Sequence, residues 1–303
     1  MTHTWVQDFK EAIYDSVKSL PQEVSLSFSG GIDSSMLLFT MIELGRPPKE
    51  LITFEIEGEY SKDLEYARQI AKHYVLPLKV AVIPSNPLRD DLVREVKEVI
   101  KITRTTRNIE TQVCHAYTYM RQLITTPYLV TGFYTTMFAH TGAKINSLWG
   151  AYKKGGSRAS LDNYFKNLVE KELEEKYLSG SPHNLWVIRQ FLKKTGVEVL
   201  CPFRTPQIES LCKNLLWDQL LINPANNKIQ PKWFITQHTH KEYFDKHNTN
   251  RSNFHTTGKD GGLKGLHRRV LLRETSYKDT RAIYNQILKD IEFEEKAMFS
   301  AKL

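Results

Sequence analysis

Val24-Ser25-Leu26-Ser27-Phe28, running straight into Ser29-Gly30-Gly31-Ile32-Asp33-Ser34-Ser35, is the stretch that decides the fold. Val24, Leu26 and Phe28 alternate with serines, the two-residue period of a strand. Met36 to Leu44 then reads as a helix, closed by Gly45 and Pro47-Pro48. The two glycines of the joint can take positive φ, which lets successive backbone N–H groups converge on one anion. The helix behind them adds its unpaired N-terminal donors and the positive end of its dipole. Ser29, Ser34 and Ser35 offer hydroxyls to phosphate oxygens, and Asp33 can hold Mg²⁺ or cap the helix. The spacing is neither GxxxxGK(S/T) nor GxGxxG. A tight turn with an Asp/Ser cap and no ligand is the other reading of the same residues.

Outward from this joint, strand and helix signals alternate. Trp5, Phe9, Ala12, Ile13 and Val17 give a helix over 5–19, stopped by Pro21. Strands are expected at 51–56, 78–83 and 128–131, with helices at 61–74, 88–102 and 112–124. Short joints between alternating elements predict parallel strands with right-handed crossovers, hence a doubly wound α/β sheet that binds ligands beyond its strand ends. The second half reads as helices at 160–179, 183–195, 206–222, 231–246 and 278–296, a short strand at 197–200, and a basic, Gly-rich stretch from Asn248 to Arg269. The expected organisation is an α/β core over 1–158 and a mostly helical part over 159–303 that completes the site.

The chain has 303 residues, 41% hydrophobic and 25% charged, which excludes wholesale disorder. No apolar run approaches the roughly 20 residues of a membrane span, and the start carries no secretory pattern. A soluble, cytoplasmic protein is expected. Cys114, Cys201 and Cys212 are far apart, against a disulfide framework, a zinc finger or a CxxC sulfur carrier. The excess of 42 basic over 34 acidic residues, net +8, suits polyanionic partners, nucleotide phosphates or nucleic acid.

Ser-Gly-Gly-Ile-Asp-Ser-Ser after an apolar strand resembles the PP-loop of the ATP pyrophosphatase superfamily. Three further stretches are similar to the synthetase domain of asparagine synthetase: Thr53 to Ile56 with Glu59 to Ala71, Arg107-Asn108-Ile109-Glu110-Thr111, and Cys201-Pro202-Phe203-Arg204-Thr205-Pro206. The resemblance implies cleavage of ATP between its α and β phosphates, adenylation of a carboxylate or carbonyl oxygen, and displacement of AMP by a nucleophile. The chain would then be an AMP-forming ligase or amidotransferase-like synthetase using ATP and Mg²⁺. By the same resemblance Ser29, Gly30, Gly31, Asp33, Ser34 and Ser35 hold the phosphates, with Asp33 as the metal ligand. Phe54 lies near the adenine, and Glu110 orients the acceptor or acts as base. Lys259, with Arg251, neutralises the leaving pyrophosphate.

The departures are as informative. Where asparagine synthetases carry an acidic Gly-rich loop, this chain reads Thr131-Gly132-Phe133-Tyr134-Thr135-Thr136, so that only Thr131-Gly132 remains, with Gly132 kept as a nucleotide-contacting position. The acidic residue expected three positions after Glu110 is Val113, and Thr2 stands where a glutaminase domain needs cysteine. Ammonia would come from solution or a separate subunit, or another nucleophile would be used.

Lys241, Arg251, Lys259, Lys264, Arg268, Arg269 and Arg273 make 241–273 a candidate pyrophosphate or nucleic-acid contact, or a solvated surface. His238 and His240 point in different directions on a helix and make a poor metal pair by themselves; with His247 and His255 they are a candidate zinc set or, on the other reading, surface histidines. Cys114 shares a helix face with Glu110, as a thiol nucleophile or as a buried structural residue. Lys153 to Arg158 reads as a phosphate lid or a hydrated linker. Beside the synthetase reading stand a PP-loop enzyme that modifies tRNA or DNA bases and a non-catalytic ATP-binding module.

Overall fold

A computed structural model describes residues 4–133, 147, 148, 150–177, 185–217, 261–273 and 275–300. Helix α1 (Thr4–Lys18) buries the stripe of Trp5, Phe9, Ala12, Ile13 and Val17. Strand β1 (Ser25–Ser27) leads through the Gly30-Gly31 turn into α2 (Ile32–Glu43). Then come β2 (Glu50–Ile56), α3 (Lys62–His73), β3 (Leu78–Ile83), α4 (Arg89–Thr103), α5 (Asn108–Met120) and β4 (Tyr128–Val130). The second half supplies α6 (Arg158–Tyr177), α7 (Leu185–Lys193), β5 (Glu198–Leu200), α8 (Pro206–Asn214), α9 (Gly262–Leu271) and α10 (Thr280–Ser300).

The strands form one parallel sheet in the order β3-β2-β1-β4-β5. This is the doubly wound α/β arrangement. Right-handed crossovers place α2 and α3 on one face and α4, α5 and α7 on the other. Strand order reverses between β1 and β4, and the crevice at that switch point is where such sheets take ligands. A continuous apolar core (Leu26, Phe28, Leu37, Phe39, Leu51, Ile52, Leu129 and Val130 among others) joins the sheet to both helical layers. A second cluster, with Ile83, Leu92, Val96, Leu266, Tyr284 and Ile287, packs α9 and α10 onto α4 and α5.

Local chemistry explains the element ends. Ser61 caps α3, its hydroxyl accepting from Leu64 N at 3.2 Å, and Asp63 and Glu65 stand in the first turn, where the dipole favours acids. Thr205 caps α8 the same way, with Pro206 in the first turn. At the amino edge of the sheet, buried Glu50 accepts from Ser25 Oγ (2.7 Å), Thr125 N (2.8 Å) and Thr125 Oγ1 (2.9 Å), and it pairs with Lys79.

Several expected bounds differ. Helix α5 starts at Asn108 rather than 112, after Arg104 in the left-handed conformation (φ 56°) has ended α4. The Gly-rich stretch up to Arg269 turns helical from Gly262, because Leu263, Leu266, Val270 and Leu271 bury one face. Helix α8 ends at Asn214, with Leu215 extended. Lys153 to Arg158 is a tight joint between helical segments, in which Gly155 (φ +91°) lets Gly156 N bond Ala151 O at 3.0 Å. The helix expected at 231–246 lies outside the described residues. Among the described residues, no helix is long and apolar enough to cross a membrane.

Candidate functional site

The Ser29–Ser35 turn sits at the carboxyl end of β1, on the switch point. Gly30 has φ +75°, and a Cβ there would overlap the carbonyl oxygen of Asp63 and lie 3.0 Å from Ala67 N. Only glycine satisfies both the dihedral and the contact with the first turn of α3. The hydroxyls fold into the turn: Gly31 N donates to Ser29 Oγ (3.2 Å), Ser34 Oγ donates to Gly31 O (3.2 Å), and the two serine oxygens stand 3.3 Å apart. Gly31 caps α2 without a side-chain bond, so the helix N-terminus is lined by backbone.

Gly132 faces this turn from the end of β4. A Cβ there would lie 3.0 Å from Ser34 N and 3.1 Å from Asp33 Cβ. Gly132, from a segment distant in sequence, therefore closes on the helix N-terminus that the Gly30-Gly31 turn leads into, and a side chain on Gly132 would crowd that cradle. Ser35 Oγ is wholly buried beside it, with no hydrogen-bond partner among the described residues. These observations fit an oxyanion such as a phosphate. Asp33, in the first turn of α2, is the carboxylate within that cradle. No group of three His, Cys, Asp or Glu that could hold a metal occurs among the described residues. The donor set thus fits Mg²⁺ carried by phosphate oxygens and one carboxylate rather than a protein-only cage.

Beside the cradle lies a cavity of about 450 Å³ at the carboxyl end of β2. Phe54 and Ile56 of β2, Ser61 before α3, Asn108 and Gln112 of α5, and Leu263 of α9 are among its walls. Glu59 accepts from Gly262 N (2.8 Å) and Arg269 Nη2 (2.7 Å), which ties the start of α9 over the cavity. The cradle and the cavity share the first turn of α3: Gly30 packs on Asp63, and Ser61 lines the cavity. Two residues of chain separate these positions by at most about 7 Å.

Helix α5 presents two faces. Asn108, Ile109, Gln112 and Val113 line the cavity. Glu110, Cys114 and Tyr117 form a buried stripe toward the switch point, where Tyr117 Oη meets Ser27 Oγ at 3.0 Å. Glu110 is 5% exposed and lies 3.4 Å from Arg107 Nε. The structure therefore brings Phe54 to the cavity and the Ser29–Ser35 turn to Gly132, and leaves Glu110 off the cavity lining. Burial, reinforced by the charge of Glu110, pushes the Cys114 thiol up, which favours the buried structural cysteine over a thiolate nucleophile. Arg251, Lys259, Lys241 and the histidines 238, 240, 247 and 255 lie outside the described residues. Lys264, within the basic stretch, lines the cavity. Gln112, Asn108 and Glu59 were not singled out from sequence, because their placement depends on α9 and α10 docking against α5.

Residues 8–124 match the family model described as asparagine synthase. No curated protein matches the chain. Among solved structures, the U34-tRNA thiolase NcsA from Methanococcus maripaludis with its 4Fe-4S cluster is similar at 13% identity and a TM-score of 0.32, over 93% of this chain and 88% of that one. The resemblance to the PP-loop synthetase domain thus stands on residues 8–124, which hold β1 to β3 and the whole of the Ser29–Ser35 turn.

Proposed function

We propose that this chain binds ATP with its phosphates in the Ser29–Ser35 cradle and its base in the cavity beside Phe54, and uses it to adenylate an acceptor oxygen with release of pyrophosphate. A nitrogen nucleophile then displaces AMP. The observation that carries this reading is the close approach of Gly132 to Asp33 and Ser34 in the first turn of α2, at the switch point, with Gly30 of the turn before it packed on the start of α3 beside the aromatic-walled cavity. The asparagine synthase match over residues 8–124 supports an ATP-pyrophosphatase type of domain.

In this reading backbone N–H groups at the start of α2, with Ser29, Ser34 and Ser35, orient the phosphates. Asp33 holds Mg²⁺, which neutralises charge on the phosphate oxygens when bound. Glu110, at the switch-point side of α5, orients the acceptor or takes its proton. Lys259 and Arg251 stabilise the leaving pyrophosphate, a role that preorganised cations perform by charge neutralisation. Residues 1–158 serve as the nucleotide-binding part, and 159–303 complete the site through α9. Catalysis is then positioning and electrostatics rather than covalent attack by the protein.

Product analysis by ion-exchange chromatography tests the proposal. Full-length protein is incubated with ATP, Mg²⁺ and single acceptors (aspartate or glutamate with ammonia, mixed tRNA, DNA), with Asp33→Ala as control. AMP and pyrophosphate, absent in the control, are expected, and the stimulating acceptor assigns the substrate class. ADP and phosphate, or ATP binding without turnover on any acceptor, would overturn the adenylation step.

A further inference from the structure

The mouth of the cavity carries exposed ring and apolar surface set among cations. Tyr60 and Ile109 both line it, from the β2–α3 joint and from the first turn of α5, and both stand in solvent, at 73% and 62% exposure. The Tyr60 hydroxyl donates to Glu65 Oε2 at 2.6 Å, which restrains the ring where it stands. Tyr277, 43% exposed, precedes Asp279 by two residues, a reach of at most about 7 Å. Asp279 Oδ1 in turn accepts from Asn108 Nδ2 of the cavity wall at 3.2 Å. A large apolar side chain left singly in water needs no explanation; three about one cavity mouth mark a contact surface.

The carboxylates at the mouth are already answered. Glu55 pairs with Arg68 at 2.8 Å, and Glu59 accepts from Gly262 N and Arg269 Nη2. Asp279 accepts from the Asn108 side-chain amide and from the Arg281 backbone N–H at 3.1 Å. Lys264 of the cavity wall, Arg268 one turn further along the same face of α9, and Lys278 beside Tyr277 are all exposed. They add positive charge that none of these bonds uses.

Cations and exposed rings interleaved around one opening suit a polymer that alternates phosphates with flat π faces. Stacking on aromatic rings and neutralisation of phosphates by lysine or arginine are the two terms that hold single strands. The first term needs bases that are not already stacked in a duplex. A free aliphatic amino acid offers these rings no face, and an acidic protein answers the cations but not the rings. We infer that this rim is a docking surface for a single-stranded polynucleotide, which presents the acceptor oxygen to the site. Presentation of the acceptor rests on the adenylation reading; the docking stands without it.

Fluorescence anisotropy of short labelled oligo-dT and oligo-rU on the full-length chain, over a salt series, tests this, the two strands distinguishing DNA from RNA. Single strands should bind more tightly than a duplex of the same length or polyglutamate. Tyr60→Ala should weaken them by about 5- to 100-fold, the worth of one base stacked on one ring, and Tyr60→Phe should keep wild-type binding. Lys264→Ala and Lys278→Ala should each lower the slope of log K against log salt by about 0.7. Lys72→Ala, in the last turn of α3, should leave it unchanged. No binding of single strands at low salt, or equal binding of the duplex or of polyglutamate, overturns the inference. So does strand binding indifferent to Tyr60→Ala, or a slope lowered as much by Lys72→Ala as by Lys264→Ala. AMP formed with a free amino acid while no strand binds removes this inference and leaves the adenylation reading standing. A strand bound at the rim with no AMP from any acceptor sustains the docking surface and overturns adenylation instead.

Discussion

Gly132, at the end of β4, stands against Ser34, in the first turn of α2, so closely that a methyl group on it would lie 3.0 Å from the Ser34 nitrogen. The contact ties the two sides of the switch point together and keeps side chains out of the space where a phosphate would meet the helix N-terminus.

Gly132→Ala and Gly30→Ala should therefore fail differently. In Gly132→Ala the neighbours need shift only a few tenths of an ångström, so ATP affinity should fall at least about tenfold while stability drops by about 1 kcal/mol or less. In Gly30→Ala both the positive φ and the Asp63 carbonyl oppose the methyl, and a loss of about 2–3 kcal/mol is expected. Urea unfolding and nucleotide titration separate the two; equal stability losses would count against the close-contact account.

Asp33→Ala should remove AMP formation and leave the fold almost intact. An acid in the first turn of a helix contributes about 0.3–1 kcal/mol through the dipole. Thermal unfolding checks the small shift, and product analysis checks the large one. A protein that turns over normally without Asp33 would contradict its metal-holding role.

Acid stability should depend on Glu50. Burial raises its carboxyl, but Lys79, the Thr125 amide and hydroxyl, and Ser25 more than offset this and hold it below 4.5 in the folded state. A depressed folded value gives stability that is complete above the unfolded value and is lost as pH falls through the folded one. Glu50→Gln should flatten that acid limb and cost about 3 kcal/mol near neutrality, because Lys79 loses its partner. Buried His267 adds a second loss at higher pH, since its folded value is depressed and unfolding takes up a proton below about pH 6.5. Denaturant unfolding from pH 7 to pH 3 reads both; a flat wild-type profile would contradict them.

Cys114 and Cys212 are buried and their thiols pushed up, chiefly by desolvation. Iodoacetamide at pH 8 should leave both unlabelled in the native protein and label both in urea, as followed by mass spectrometry of peptides. Rapid native labelling of Cys114 would revive it as a nucleophile.

Much of the fold was legible because its signals are local. The strand at 78–83 has the expected bounds, and α1, α2 and α3 follow their apolar periods, since backbone sterics and side-chain alternation act within a few residues. Helix α5 was mistaken at its start because Ile102 to Thr106 is rich in β-branched residues and the stop at Arg104 needs a left-handed residue that sequence alone does not announce. The expected start at 112 therefore left out the first turn of α5, although the spacing of Glu110 and Cys114 already put them on one helix face.

The sequence by itself determined the strand–glycine–helix joint, because two glycines, three serines and Asp33 between an alternating strand and an amphipathic helix leave few other local structures. It also determined the doubly wound sheet, since alternating elements with short joints have few right-handed solutions. Only the tertiary structure decided that Gly132 meets Ser34, that Glu110 and Gln112 look to opposite sides of α5, and that His115 and His267 touch across a separation of 152 residues. The first contact arises from pairing β4 beside β1, and the last from packing α9 against α5. Burial, rather than any neighbouring residue in the chain, selects which polar groups must pair there, so no periodicity along the sequence records them.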